Sequence, residues 1–567
     1  MPSTATIARP SRDFHAPLRL LAYAKNRYLA WAMIAGGMIL GRIALLPVLP
    51  APPPAVHDEF SYLLAADTFA HGRAANPAPL HPEFFESPHV LVDPTYASKF
   101  PPGQGLVLAL GEKLTGHPYG GVVLSVAVMV FLFCWAADAW LPPQWALIAG
   151  VLSAVLFFIR HYWFDSYWGG ALAAAGGALL VGGLGHVLRG RPQRAGVSFA
   201  VGAVLLFSTR VFEGGVLCVA VVAILLVHSL SIGRRNLLRP LLLPNLAVLA
   251  AAVPLVLWYN VRVTGHALEM PYTLYMKQYD LVPPLWVLPP HPAKEFSSVN
   301  YAVERTWELD MYNFARGTGR LGNVPVHLVF LAEGAVWQQF LGFGLLLLAT
   351  PWARMRGRKK WLVLLLGAGF ACLFTEVMNF PHYTAPFTCV MLILIVAALR
   401  AVWYRLARME SPRLRGLLAG LAMTVLFTFL ALDYASAVQA PRETQRSMLI
   451  KRLESAGGRH LVFVDYAKGW PAWEPNTEWV YNGADLNQGR ILFAHLRSDA
   501  ENRQLMAEYK NRAAWRVRVG PSPTDVQCEP YGDLPETTPS EASLIPSPSL
   551  TSKPGQSASP LLAGSAP

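Results

Sequence analysis

Runs of about 20 consecutive apolar residues recur along this chain and constrain its fold more than any other feature. A run of that length crosses the ~30 Å hydrocarbon core of a bilayer as a helix, which satisfies its own backbone hydrogen bonds. The composition agrees, because 53% of the residues are hydrophobic and 14% are charged, against roughly 25% charged residues in soluble proteins. The sequence therefore predicts a mainly α, polytopic membrane protein.

The apolar runs and the residues that interrupt them predict about eleven membrane spans. The first run follows a basic segment, 1–27, and is longer than the ~7–15 apolar residues of a signal peptide. We expect a cytoplasmic N-terminal segment at 1–27 and a transmembrane domain at 28–436. The predicted spans lie near 28–49, 119–140, 143–160, 169–189, 195–209, 213–231, 241–260, 326–350, 361–378, 384–403 and 415–436.

The charges of the connections predict the side on which each one lies. With the N-terminus inside, four of the five cytoplasmic connections are strongly basic, as the positive-inside rule requires. They account for most of the net charge of +12 without invoking nucleic acid. The long connections 51–118 and 261–325 are then expected outside the cell membrane, which we take to be a bacterial inner membrane.

The character of the sequence changes after residue 436. The stretches HLVFVDY, RILFAHL and AWRVRVG alternate like strands, and Ser498 and Glu501 have capping-box spacing at the start of a helix. These patterns predict a small α/β extracytoplasmic domain at 437–520. The segment 521–567 is rich in Pro and Ser and is predicted to be disordered.

Sequence motifs for a resident metal or nucleotide are missing. None of the five cysteines has metal-ligand spacing, and no Gly-rich phosphate loop or zinc-protease motif occurs. We expect no metal and no required cofactor, although a divalent cation is compatible with the chemistry. The glycines of GGALAAAGGALLVGGLGHVL have small-residue spacing, which predicts close helix packing.

Two adjacent carboxylates, Asp58 and Glu59, follow the first span in the stretch VHDEFSYLLAADTFAHGR. The spacing of Tyr62, Ala66 and Phe69 predicts a short amphipathic helix along the membrane interface. Asp58 is then either the N-cap of that helix, with Glu59 matching the helix dipole, or part of a chemical site. Spacing alone leaves both readings open.

A lysine, Lys99, precedes a double proline in DPTYASKFPPGQG, further along the same outer connection. The prolines restrict the loop, so the ammonium is held at a defined place near the interface. A lysine in that position suits a lipid phosphate as a point charge. The alternative is ordinary snorkelling of a lysine that flanks an apolar segment.

Ionisable and aromatic side chains also gather in other connections on the same predicted side. Such groups near membrane depth are costly and usually face a cavity or one another. Their shared placement predicts one polar cavity that opens to the outside. The residues are Arg160, His161, Asp165, Arg210, Glu213, His382 and Tyr383.

The motifs HDEFSY and YASKFPPGQG, with many spans and an outer C-terminal domain, resemble the GT-C superfamily of membrane glycosyltransferases. The closer likeness is to its bacterial protein-mannosyltransferase and aminoarabinose-transferase branch, over roughly 28–436. The resemblance implies a sugar donor on polyprenyl phosphate, an acidic catalytic or acceptor-binding residue at Asp58 with Glu59 beside it, and a donor-phosphate contact at Lys99. The C-terminal domain matches no particular member.

Sugar transfer of this kind needs a carboxylate to take the acceptor's proton and cations to stabilise the leaving phosphate. Lys99, Arg160 and Arg210 are the expected cations, and the other outer residues are expected to line the substrate cavity. The sequence thus predicts a hexosyl- or pentosyltransferase acting on a lipid, glycan or protein acceptor. The alternatives are a transporter or flippase of lipid-linked sugars, and a structural partner protein.

Overall fold

The fold is described from a computed structural model. It describes residues 27–158, 162–231, 239–292, 294, 296, 299–317, 322–337, 340–348, 350, 352, 355, 357–378, 380–409, 411–439, 443–466, 478–520 and 526–532.

Ten regular helices coincide with ten of the predicted spans. Their apolar residues leave the backbone no partner in lipid except its own helix, which is why the runs become helices. They are α1 (Arg27–Leu45), α4 (Tyr119–Trp140), α5 (Pro143–Phe158), α6 (Gly170–Leu188), α7 (Ser198–Phe207), α8 (Val211–Ser231), α9 (Arg239–Thr264), α13 (Lys360–Phe374), α14 (Ala385–Ala407) and α15 (Pro412–Gln439).

Six helices in the described part of the chain are long and apolar enough to cross a membrane. They establish a membrane protein, but the count of about eleven spans is not confirmed, because α5 and α7 are short. The predicted span 326–350 is irregular: α12 (Val324–Phe330) is followed by a π-helical turn, Leu331–Trp337, and a 3₁₀ segment, Leu341–Leu347.

Glycines let the apolar helices approach one another closely, as the sequence predicts. A Cβ added at Gly177 of α6 would lie 2.0 Å from the carbonyl oxygen of Pro386 in α14. A Cβ at Gly111 would lie 1.9 Å from the backbone nitrogen of Gly121 in α4. The backbones therefore touch where only glycine fits, which is the packing expected of small residues in membrane helices.

The two long connections predicted to lie outside, 51–118 and 261–325, contain regular structure and are called the first and second outer connections. The first contains α2 (His57–Ala70), α3 (Pro102–Thr115) and a three-stranded antiparallel sheet of order β1-β3-β2. The second contains α10 (Pro271–Gln278) and α11 (Val299–Arg316). The strands of the first connection are β1 (Asn76–Pro77), β2 (Val90–Leu91) and β3 (Thr95–Ser98).

The C-terminal part forms an α/β unit with sheet order β5-β4-β6-β7, in which β4 is parallel to β5 and β6. Ser498 accepts from the backbone N–H of Glu501, so the predicted capping box is present. The elements are α16 (Gln445–Ala456), β4 (His460–Tyr466), β5 (Ile491–His495), α17 (Asp499–Glu508), β6 (Ala513–Val519) and β7 (Val526–Pro530).

The strand β7 corrects the predicted boundary at residue 520. It pairs antiparallel with β6, and Gln527 and Glu529 are exposed between half-buried neighbours. A short edge strand with alternate polar residues needs little apolar surface, so its composition resembles that of a tail. Residues 521–525 and 533–567 of the predicted tail lie outside the described residues.

The C-terminal unit packs directly on the first outer connection. The backbone N–H of Ala484 donates to Asp67 of α2 at 2.6 Å, and Phe60 of α2 stacks on Tyr481 with ring centroids 4.3 Å apart. The Arg446 guanidinium lies over the ring of Phe60, 4.9 Å from its centre. The unit therefore fixes the position of α2, the helix that carries the acidic pair.

Candidate active site

A cavity of about 970 Å³ lies between the first and second outer connections, the start of α8 and the segment just before α14. Most of the predicted site residues line it although they come from distant parts of the sequence. Arg160 and His161 lie outside the described residues. The predicted residues that line the cavity are Asp58, Lys99, Arg210, Glu213, His382 and Tyr383.

Two predicted residues are not among those that line the cavity, Glu59 and Asp165. Glu59 is buried, and its carboxylate accepts from the backbone N–H groups of Ala55 at 2.8 Å, Val56 at 3.1 Å and Tyr167 at 3.0 Å. Burial raises the pKa of Glu59 to about 7, while these three bonds oppose the rise. The geometry thus gives Glu59 a structural role at the start of α2.

Glu59→Gln is expected to destabilise the protein by about 1–3 kcal/mol, because one amide oxygen replaces two carboxylate oxygens and leaves buried donors unpaired. Thermal unfolding of the purified protein in detergent measures the effect. Asp58→Asn, one residue away, is the matched control and should leave the unfolding temperature nearly unchanged. An unchanged unfolding temperature for Glu59→Gln, together with lost activity, would return Glu59 to the chemistry.

Asp58 is not the N-cap of α2. The helix begins at His57 with Val56 as its cap, so Asp58 lies inside the first turn and faces the cavity with about 31% of its side chain exposed. Burial raises the pKa of Asp58, and the positive charges of Lys99 and Arg210 oppose that rise. A carboxylate whose ionised form is favoured by two cations can accept a proton and return to its ionised form between reactions.

Lys99 follows β3, and its side chain is buried under aromatic rings. Its ammonium lies 4.5 Å from the ring centre of Tyr275 and 5.3 Å from that of Tyr272. Burial lowers the pKa of Lys99, and the charge of Asp280 opposes the change most strongly. A snorkelling lysine keeps its ammonium in water. Lys99 is buried, so snorkelling does not account for its position.

Another part of the cavity is lined by residues at the start of α8 and just before α14. The Arg210 guanidinium stacks on Tyr383 at 4.5 Å and lies 3.6 Å from Glu213, at the start of α8. The backbone N–H of His382 donates to Tyr162 at 2.8 Å, and the two side chains also contact each other. A second cation is thus held by an aromatic face and a carboxylate.

The sequence reasoning missed several polar residues that line the cavity as well. Glu304 and Glu308 are one turn apart on α11, and this i, i+4 spacing of acids was the only signal that could have found them. The guanidinium of Arg305 pairs with two carboxylates, that of Glu308 at 2.6 Å and that of Asp280 at 2.5 Å. The missed lining residues are His57, His89, Asp280, Glu304 and Glu308.

One group of side chains in the described part of the chain is compact enough to compare with a metal centre. One ligand atom from each of His57, His89 and Glu304 lies within 4.8 Å of the others. In a catalytic zinc site, which has three protein ligands and a water, ligand atoms ~2.0–2.2 Å from the ion would lie roughly 3.4 Å apart. His57 already faces Glu304 at 3.4 Å, and His89 faces Asp58 at 3.6 Å. We interpret the group as paired ionisable side chains and assign no metal to it.

An apolar strip continues the cavity along α8. Phe212, Gly215, Val216, Val219 and Ala220 line it at helical spacing. Phe212 and Val219 remain 41% and 71% exposed, and α8 is one of the helices able to span a membrane. The cavity therefore joins a charged end, which carries Asp58 and the two cations, to an apolar face available to lipid.

The fold and the cavity define a polytopic membrane protein with a polar site next to its C-terminal α/β unit. No protein-family profile matches the chain, and no curated protein matches its sequence. Solved structures with some similarity include ArnT from Cupriavidus metallidurans. Its apo form is 14% identical over 86% of this chain and 93% of that chain, with a TM-score of 0.48.

Two further solved structures are similar at the same level. ArnT from Cupriavidus metallidurans bound to undecaprenyl phosphate is 17% identical, covering 75% of this chain and 68% of that chain, with a TM-score of 0.44. An Archaeoglobus fulgidus oligosaccharyltransferase in complex with Zn and sulfate is 13% identical, covering 87% and 68%, with a TM-score of 0.48. Because these TM-scores are below 0.5, we base no conclusion on them.

Proposed function

We propose that the protein is a membrane glycosyltransferase that moves a sugar from a polyprenyl-phosphate donor to an acceptor at the outer face of the membrane. The observation that carries the proposal is the cavity, which Asp58 lines together with two cations, Lys99 and Arg210, whose charges act on its carboxylate. The motifs around Asp58 and Lys99, with their GT-C resemblance, support the same reading.

The shape of the cavity suits an amphiphilic donor. A polyprenyl phosphate has an anionic head and a long apolar chain, and the cavity offers cations at one end and the strip along α8 at the other. The strip is formed on a helix able to span the membrane, so a lipid chain would reach it from the bilayer. A nucleotide-linked sugar would have no use for such a strip.

In the proposed reaction an acceptor hydroxyl attacks the anomeric carbon of the sugar. The acceptor oxygen–carbon bond forms, the bond from carbon to phosphate oxygen breaks, and the lipid phosphate leaves with the electron pair. Asp58 takes the acceptor's proton, and its charge also steadies the positive charge that develops on the sugar. Lys99 and Arg210 stabilise the leaving phosphate. The sugar is a hexose or a pentose, and the acceptor is a lipid, a glycan or a protein.

The test uses the full-length protein in vesicles with a panel of sugars on polyprenyl phosphate and a membrane extract as the acceptor source. The proposal predicts that lipid phosphate is released and that the sugar mass appears on an acceptor, both followed by mass spectrometry. The rival function, a flippase of lipid-linked sugars, would move the intact donor between leaflets and release no lipid phosphate. Translocation without release would therefore overturn the proposal.

We propose further that the N-terminus is cytoplasmic and that the cavity and the C-terminal unit face outward, in a bacterial inner membrane. The reason is the basic bias of alternate connections. Reporter fusions after Arg194, Arg235, Lys360 and Arg408 should report cytoplasm, and a fusion after Gly520 should report the outside. A cytoplasmic signal at Gly520 would contradict both the orientation and an outward-facing site.

A further inference from the structure

The backbone of His89 has a conformation that L-residues rarely adopt. Its φ is +67°, and among the described residues only His89 and Asn511 combine a positive φ with a side chain. Such positions persist where surrounding contacts hold them, and they concentrate at functional sites. The local sequence, SPHV, does not predict this positive φ at His89.

Three hydrogen bonds hold this backbone in place. The N–H of His89 donates to the Tyr275 hydroxyl at 2.8 Å. Its carbonyl oxygen accepts from the hydroxyl of Ser61 at 2.6 Å and from the backbone N–H of Lys99 at 3.1 Å. The loop is thus tied to α2, to the start of the Lys99 segment and to the second outer connection, so the imidazole is placed by both outer connections together.

The side chain of His89 is directed at Asp58. Its Nε2 lies 3.6 Å from Asp58 Oδ2, and its ring packs against Phe100 and Tyr275 with centroids 5.6 and 6.1 Å away. The other ring nitrogen, Nδ1, is buried and has no hydrogen-bond partner among the described residues. A buried N–H without an acceptor is costly, so the single proton of a neutral imidazole belongs on Nε2, which faces the carboxylate.

The imidazole is kept neutral by its surroundings. Burial and the charges of Lys99, Arg305 and His57, which face it from three different elements, all lower the pKa of His89 well below its ordinary value. Asp58 is the carboxylate that faces it. A neutral ring with its proton on Nε2 can donate to Asp58 without taking the acceptor's proton itself.

We propose that His89 is a positioning residue for Asp58: it donates from Nε2–H to Oδ2 and leaves the other carboxylate oxygen free to accept the proton of the attacking hydroxyl. This inference rests on the proposed function. The distance of 3.6 Å is longer than a hydrogen bond, and we expect it to shorten when substrate fills the cavity, as catalytic hydrogen bonds often do. The bond favours the ionised carboxylate and so offsets the effect of burial.

Two substitutions separate this role from a purely structural one. Asn tolerates a positive φ better than His does, but its amide is too short to reach Asp58. Gln places an amide N–H near the position of Nε2 but gains nothing in backbone preference. We expect His89→Asn to lower kcat about tenfold or more and to move the acidic limb of the pH–rate profile upward, whereas His89→Gln keeps more of kcat. If His89 mattered only for its backbone conformation, His89→Asn would be more active than His89→Gln, and that result would overturn the proposal.

Combination with Asp58→Asn tests whether His89 acts through Asp58. If it does, His89→Asn adds little to the loss already caused by Asp58→Asn, whereas independent effects would multiply. His266→Asn, at an exposed histidine that is not among the residues lining the cavity, is the control and should behave as the unaltered protein. Multiplicative losses in the double variant would refute the coupling.

The remaining outcomes are distinguishable. If the unaltered protein transfers sugar and His89→Asn does so at the same rate with the same pH profile, this inference falls and the proposed function stands. If the unaltered protein transfers no sugar at all, the proposed function falls with it. Metal analysis provides a further check, since a stoichiometric metal that disappears in His89→Asn would make His89 a ligand and overturn the positioning role.

Discussion

Asp58→Asn is expected to lower kcat for sugar transfer by about 10²-fold or more, because the amide cannot accept the proton that the acceptor hydroxyl loses. The side chains are nearly equal in size, and Asp58 caps no helix, so the fold should be unaffected apart from a small dipole contribution of about 0.3–1 kcal/mol. Single-turnover rates at saturating donor measure the effect on the chemical step, and thermal unfolding monitors the fold.

The pH dependence gives an independent check on the same residue. A base must be deprotonated to act, so activity is lost as the pH falls through the pKa of Asp58. Burial raises that pKa from its ordinary value of 3.8, so we expect the acidic limb at a correspondingly higher pH, and we expect Asp58→Asn to abolish it. Transfer at the unaltered rate, with the limb still present, would remove Asp58 from the mechanism.

Lys99→Met is expected to lower kcat/KM for the donor by about 10²-fold, since it removes one cation from the position of the leaving phosphate while keeping an apolar stem of similar length. Binding of polyprenyl phosphate and single-turnover rates together show whether the loss is in affinity or in the chemical step. Lys99→Arg keeps the charge but changes its geometry, so an intermediate loss is expected.

The matched control for Lys99 is Lys113→Met, because Lys113 is exposed on α3 in the same outer connection. It should leave donor use unchanged. If Lys99→Met binds and uses the donor normally but its acidic limb moves to higher pH, Lys99 acts only on the charge of Asp58. That result would contradict its assignment to the donor phosphate.

The positions of the helices could be predicted from the sequence, because a long apolar run in lipid has no other way to pair its backbone groups. The C-terminal α/β unit was predictable for a related reason, since alternating residues and the Ser498 capping box are local signals. The strand β7 escaped because an edge strand with alternate polar residues looks locally like a tail. The irregular segment after α12 escaped because hydropathy does not report helix geometry.

The candidate site was only partly predictable. Asp58 and Lys99 carry a local signal in their motifs, and both line the cavity. Asp58 faces the cavity and its neighbour Glu59 does not. This difference depends on where α2 begins, because one step along a helix turns a side chain by about 100°. That start is set by bonds to Ala55, Val56 and Tyr167, the last of which comes from a distant connection.

The sequence by itself determined that this chain lies in a membrane and where most of its helices run, and it singled out an acid and a lysine in one long connection. The tertiary structure alone decided that Glu304 and Glu308 of α11 face Asp58 across one cavity and that His89 is directed at its carboxylate. The physical reason is range: hydrophobicity and helical periodicity act over a few residues, whereas a buried polar cluster forms only when distant segments pack together and must satisfy one another's charges.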